Sequence, residues 1–341
     1  MDENVQRRRV TLEDVAKLAK VSTSAVSRTF TDGASVSKKT RTKVLKAADH
    51  LGFRPNALAR SLMTGRSALI GLVSNAFINP FIMNILSAFT IELQKRRLRP
   101  LVFNLAGDYS IRETITLMQQ YQLDGVLVAS STLDPNFTES VAAAGIPVVL
   151  AFGAARASSG VSAAYVDNFE GGRLVGEAFL KRGYSRIGFI GGGEAVSTTR
   201  DRLLGLRSIL AEMRAREPTV IYAGRYDQAT GFEMCKRLIA KAPDLDAIFC
   251  ADDLIGIGAV DALRELGRAI PATGVIGFND IQMANWPAYR LSTVRAHTDE
   301  VVQCAIEMLE AQIENPTRPA EKRIISCEFV PRTTVHPLPA K

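Results

Sequence analysis

From Ala68 onward the chain alternates short apolar runs with helical patterns, and this alternation constrains the fold more than any other feature. The runs are Ala68–Val73, Pro100–Leu105, Gly125–Ala129, Pro147–Phe152, Arg186–Gly191, Val220–Ala223, Ala247–Ala251, Gly274–Phe278 and Leu291–Arg295. Helical patterns lie between most of them, among them Pro80–Arg97, Glu170–Arg182, Arg200–Arg214, Thr230–Ala240 and Leu254–Leu266. A strand that is apolar at consecutive positions is buried on both faces, as in a parallel sheet flanked by helices. There are more strands than one sheet of ordinary size holds. The expected architecture is therefore α/β, with two doubly wound parallel sheets in lobes spanning residues 68–167 and 168–296. A helix near Thr298–Asn315 and the final strands then cross back.

The first 66 residues are of another kind. Thr11 is placed to cap a helix with apolar Leu12, Val15, Ala16, Leu18 and Ala19, and Asp14 sits at the reciprocal capping position. Ser22 caps a second short helix, Thr23–Thr29. Ser37 caps a third, Lys38–Leu51, with Val44, Leu45, Ala48 and Leu51 on one face and Gly52 as its stop. Two short helices joined by a tight turn make a helix-turn-helix. Thr23 and Ser24 open the second helix and Arg28 follows one turn later, where a recognition helix presents side chains to base edges. Residues 1–66 hold 14 Lys/Arg and 6 Asp/Glu, a net of +8; the other 275 hold 28 and 29, a net of −1. A positive excess confined to this end is what phosphate binding requires. A bare three-helix bundle with a solvated basic face is the competing reading.

Several function classes are excluded or start low. No apolar run approaches the ~18 residues that span a bilayer, and no apolar segment follows the basic Arg7-Arg8-Arg9, so a secretory signal is not expected. Cys235, Cys250, Cys304 and Cys327 are far apart and form no C-x-x-C pair. That spacing fits reduced thiols in a cytoplasmic protein, not a disulfide framework or a zinc site. There is no H-E-x-x-H, P-loop or G-x-S-x-G motif, and Ser35-Val36-Ser37-Lys38 reads as a helix cap. Gly191-Gly192-Gly193 is the nearest thing to a phosphate loop and lacks its spacing. No catalytic residue, metal or cofactor is expected.

Val10–Ala16, Val21-Ser22 and above all Phe53-Arg54-Pro55-Asn56-Ala57-Leu58-Ala59-Arg60-Ser61-Leu62-Met63-Thr64-Gly65-Arg66-Ser67 resemble the lac repressor/galactose repressor family of bacterial transcription regulators. The resemblance covers nearly the whole chain. It implies a helix-turn-helix headpiece over residues 1–54, a hinge helix and linker over 55–66, and an effector-binding, dimerising core over 67–341 with a periplasmic-binding-protein-like pair of lobes. The DNA-facing residues it implies are Thr11, Ser22, Thr23, Ser24, Ser27 and Arg28 in the headpiece, and Asn56, Ala59, Arg60 and Leu62 in the hinge. Leu62 is the residue that would wedge into a minor-groove base step, since minor-groove binders insert apolar side chains and kink the duplex.

Ligands of doubly wound sheets bind beyond the carboxyl ends of strands. Asn79 and Phe81 follow the first strand, Asn104 ends the second, and Asp167 follows Tyr165-Val166. Arg202 lies after the strand ending at Gly191, Asp252 follows Ala251, and Asn279 follows Phe278. The resemblance assigns Asn79, Phe81, Asp167, Arg202, Tyr226, Asp252 and Asn279 to effector binding. Each has a plainer reading as a helix cap, a turn residue or a solvated side chain. The set suits a neutral polyol, and a sugar acid or a purine would also fit. Asn279 stands where the family often has an acid, and an amide able to donate is expected to admit a more anionic ligand. The expected partners are a double-stranded DNA operator, a small-molecule effector (a sugar or sugar acid) and a second copy of the chain. The tail Thr333–Lys341 has no leucine heptads, so a dimer is expected and not a tetramer. No membrane partner is expected. The competing functions are a sugar-binding protein that does not touch DNA, and an α/β sugar enzyme.

Overall fold

The computed structural model describes residues 10–31, 33–54, 65–156 and 159–339. The chain divides into two compact units, Met1–Ser67 and Ala68–Lys341.

The first unit holds three helices, α1 (Leu12–Ala19), α2 (Thr23–Thr29) and α3 (Lys38–Leu51). Each starts at a hydroxyl cap. Thr11 and Asp14 form a complete capping box, and Ser22 and Ser37 accept from the amides of Ala25 and Thr40. Their core is Val15, Ala16, Ala19, Val26, Val44, Ala47, Ala48 and Phe53. The sequence pattern puts Leu45 and Leu18 on apolar faces, but both are about half exposed, and Ala47 is buried beside Val44 instead. With α1 and α2 packed this closely on α3, the face of α3 is chosen by what fits the gap. Asn56, Ala59, Arg60 and Leu62 lie outside the described residues.

The second unit contains β1 (Leu69–Ser74), α4 (Pro80–Lys95), β2 (Arg99–Asn104), α5 (Ile111–Gln120), β3 (Gly125–Ala129), α6 (Pro135–Ala143), β4 (Val148–Ala151) and β5 (Ser162–Val166). It continues with α7 (Asn168–Leu180), β6 (Ile187–Gly191), α8 (Ser197–Glu212), β7 (Thr219–Tyr222), α9 (Gln228–Lys241), β8 (Ala247–Cys250), α10 (Asp253–Glu265) and β9 (Gly274–Asn279). Then follow β10 (Ser292–Ala296), α11 (Thr298–Glu314), β11 (Lys322–Ile325) and β12 (Cys327–Val330). One sheet has the order β11-β5-β4-β3-β1-β2 with every pair parallel. The other has the order β12-β10-β9-β8-β6-β7, parallel except for the β10–β12 pair.

The chain passes between sheets three times: from β5 into α7, from β10 into α11, and from β11 to β12. Strands β3 and β8 are buried at every residue, as their unbroken apolar sequence requires. In the first sheet the connections reverse direction between β1 and β3, and in the second between β6 and β8. A crevice opens at such switch points, beyond the carboxyl ends of the strands. Here both crevices belong to one cleft. No helix among the described residues is long and apolar enough to cross a membrane.

Candidate functional site

The cleft between the lobes encloses about 390 Å³. From the first lobe it is lined by Asn75 just past β1, Asn79 and Phe81 at the start of α4, Ser130–Thr132 just past β3, and Phe152 just past β4. From the second come Thr198 and Arg202 of α8, Arg225–Asp227 ahead of α9, Asp252 ahead of α10, and Asn279 at the end of β9. Asn79, Phe81, Arg202, Tyr226, Asp252 and Asn279 are thus brought together. Asp167 is not: it stands at the β5–α7 crossover, caps α7 by accepting from the amide of Glu170 at 2.9 Å, and donates its own amide to Ile325 O. The same rule of looking beyond strand ends reaches Asn75, Ser130 and Phe152, which pattern reading passed over. Arg225 and Asp227 follow β7 by several residues and carry no such signal.

Arg202 is held in place from several sides. Its Nε donates to Asn168 Oδ1 at 2.8 Å and its Nη1 donates to the carbonyl of Ala251. Its guanidinium lies over the Phe278 ring, 3.5 Å from the centroid. Burial pulls its pKa below the usual arginine value, opposed by the neighbouring Tyr226 and Asp252. It can reach Asn168 because α7 and α8 cross almost in backbone contact. A Cβ on Gly172 would lie 2.1 Å from Arg202 O, and one on Gly205 would lie 1.9 Å from Phe169 O. Gly192 has a similar role at the other wall. A Cβ there would fall within 2.2 Å of the Tyr226 ring, so Gly192 seats this aromatic. The Tyr226 hydroxyl is then fixed on Thr199 Oγ1 at 2.7 Å.

Beside Arg202, the wall opposite α4 carries acceptors. Asp252 caps α10 through the amide of Leu254 at 2.7 Å and accepts from Asn279 Nδ2 at 2.9 Å. Burial pushes its pKa up to about 6, opposed by that cap, by Arg202 and by Asn279. Asn279 gives one N–H of its Nδ2 to Asp252, and its Oδ1 is buried without a partner. Asn279 and Asp280 have φ of 109° and 57°, conformations that non-glycine residues hold only under constraint. The constraint is a set of ion pairs and hydrogen bonds: Arg295 and Arg332 grip Asp280, and Asp253 accepts from the amide of Ile281.

The first-lobe wall is different. Asn79 Oδ1 accepts from the amide of Phe81 at 2.9 Å, and Asn75 Oδ1 accepts from the hydroxyls of Ser130 and Thr132. Both carboxamides thus use their oxygens on the protein and keep their N–H groups for the cleft.

In the headpiece, Thr23, Ser24 and Arg28 are exposed and Ser27 is half-buried, while Val26 and Thr29 of the same helix are buried. Thr11 and Ser22 are exposed, but their hydroxyls are engaged as helix caps, and Ser22 also meets Ser24 Oγ at 2.9 Å. What Thr11 and Ser22 add to an exposed surface is a helix N-terminus, a natural seat for phosphate.

Comparison with known proteins places both units. Residues 11–56 match the model described as bacterial regulatory proteins, lacI family, and residues 177–335 match the periplasmic binding protein-like domain. The ribose operon repressor of Haemophilus influenzae is 28% identical over 96% of this chain and 99% of its own length. A crystal structure of the lac repressor dimer bound to operator and anti-inducer superposes with a TM-score of 0.85 at 22% identity, covering 96% of this chain and 99% of that one. The HTH-type transcriptional regulator CelR of Thermobifida fusca is 31% identical over 92% of this chain and 96% of its own length. The chain belongs to the lacI family of bacterial regulatory proteins.

Proposed function

We propose that this protein is a transcriptional repressor that binds an operator as a dimer and is controlled by a sugar or sugar derivative held between its lobes. The observation that supports this most is the complementarity of the cleft walls. Amide donors of Asn75 and Asn79 stand on one side, and the acceptors of Asp252, Asn279 and Asp227 stand on the other. A hydroxyl both donates and accepts. A polyol can therefore satisfy both walls at once, and it binds the closed arrangement better than the open one. Such differential binding shifts the population of lobe arrangements.

Arg202 carries the effect toward the crossovers, because its partner Asn168 is the first residue of α7, immediately after the chain leaves β5. The exposed polar face of α2 is the DNA-reading element, and two headpieces read a two-fold operator.

The test is a double dissociation in the full-length protein, using duplex DNA from upstream of its own gene and a panel of sugars. Arg28→Ala weakens DNA binding and leaves sugar binding intact. Arg202→Ala removes the sugar response and leaves DNA binding intact. If either substitution damages both activities equally, or neither, the division of labour is wrong.

A further inference from the structure

The cleft continues into a second cavity of about 540 Å³, and the two share Asn75, Ile78, Thr132 and Arg225. The two ends of this combined space have opposite polarity. At the inner end Asn279 is only 7% exposed, and its Oδ1 is buried with no donor. Its neighbour Asp252 is a carboxylate already held by Leu254 N and Asn279 Nδ2. An anionic group placed there would meet lone pairs, whereas a hydroxyl supplies the missing hydrogen. The inner guanidinium, Arg202, has its Nε and Nη1 bonded to Asn168 and Ala251 and its charge already opposed by the Asp252 carboxylate.

At the outer end the polarity reverses. Arg225 stands on the wall that both cavities share, with no hydrogen-bond or ion-pair partner among the described residues. Its neighbours are held: Gly224, at φ +74°, donates its amide to Gly192 O at 3.1 Å, and the Tyr226 hydroxyl is bonded to Thr199. The acid on the outer wall, Asp134, is engaged in capping α6 through the amide of Asn136 at 2.9 Å.

We propose that the effector is a polyol bearing one anionic group, a carboxylate or a phosphate, bound with its hydroxyls against Asn279 and Asp252 and its anion on Arg225 where the two cavities join. The inference rests on the reading that the cleft holds a sugar, and adds its charge and orientation. A guanidinium matches the paired oxygens of either anion.

The experiment is calorimetric titration of the full-length protein with matched sets: glucose, glucuronate and glucose 6-phosphate; galactose, galacturonate and galactose 6-phosphate; ribose, ribonate and ribose 5-phosphate. In at least one set an anionic member binds about tenfold or more tighter than its neutral parent, the scale of one charge-assisted hydrogen bond. Which anion gains identifies it as carboxylate or phosphate. Arg225→Gln erases most of that advantage, bringing the anionic member's affinity down to near that of its neutral parent, while the parent's own affinity changes several-fold less. Neutral parents binding as well as their anionic partners overturns the inference and leaves the sugar reading standing. An Arg225→Gln loss shared equally by neutral and anionic members also overturns it, since Arg225 would then be ordinary wall. If no member of any set binds, both the inference and the sugar reading fall.

Discussion

Residues 1–66 carry a net charge of +8, and their described part is organised around eight buried apolar residues; the remaining 275 residues carry −1 and bury a continuous apolar network that runs through both sheets. The small unit has little apolar area to hold it and relies on hydroxyl caps at all three helices. The large unit can bury an arginine, an aspartate and an amide on the walls of a cleft and still remain packed. The contrast separates two kinds of recognition. One acts through a long-range field and exposed helix ends, and the other through short, directional hydrogen bonds inside a shielded cleft.

Salt is the strongest lever on this contrast. If the headpiece contributes six to ten phosphate contacts per dimer, DNA affinity drops by about 10³–10⁵ between 50 and 200 mM salt. Affinity for a neutral sugar changes by less than about twofold over the same range, because its contacts are uncharged on the ligand side. Fluorescence anisotropy and calorimetry across a salt series measure both. A DNA affinity that is flat in salt breaks the comparison at its root.

The next largest effect is steric and confined to the core. Gly205→Ala puts a methyl where the Phe169 carbonyl oxygen lies 1.9 Å away, so α7 and α8 must separate. Overpacking of this kind costs about 1–3 kcal/mol and more when backbone blocks relief. It also draws Arg202 away from Asn168, so sugar affinity drops with core stability. Scanning calorimetry should show the core transition lowered, while DNA binding at low temperature is kept. An unshifted core transition would mean that the helices have slack that the geometry does not show.

Most of the architecture is legible in the sequence. Gly125–Ala129 reads as a strand to the residue, because an unbroken apolar run bounded by turns has few other uses. The short helices α5 and α6 are not picked out, nor is the exposure of Leu45, which depends on what α1 and α2 leave room for. In the cleft, the strand-end rule finds Asn79, Asp252 and Asn279. It also picks Asp167, which the fold uses to cap α7. The pairing of Asn279 with Asp252 is invisible in the sequence, because the two are distant in the chain. Arg225 is equally silent, since only the fold brings its loop opposite Asn75.

A smaller effect comes from pH and sharpens the same contrast. Burial raises Asp252 to about 6, and a ligand hydroxyl donating to it needs the ionised form. Sugar affinity therefore falls as pH drops through about 6, by about tenfold at one unit below the pKa. Stability moves the other way. Between the ordinary carboxylate pKa and about 6 the folded chain holds a proton that the unfolded chain has lost. This site's contribution to stability is therefore full at the acid end and is lost as pH rises through about 6. Asp252→Asn should flatten the affinity trend and remove only its own share of the stability trend, because burial also raises the neighbouring Asp253 well above the ordinary carboxylate value. Affinity and stability changing in the same direction would remove Asp252 as the cause.

The smallest effect lies in the headpiece. Ser22 Oγ accepts from the Ala25 amide at 3.2 Å and is bonded to Ser24 Oγ. Ser22→Ala removes the cap of α2 at a cost of about 1 kcal/mol and frees Ser24 to turn. The same kind of cap, at Asp252 in the core, doubles as a wall of the cleft, so its loss would alter ligand binding directly. At Ser22 the loss is local: headpiece melting falls by a few degrees and DNA binding weakens a few-fold, while sugar affinity and core melting stay the same. Headpiece amides followed by NMR through a thermal series resolve the change. A matching shift in the core's amides would show that the two units do not unfold independently.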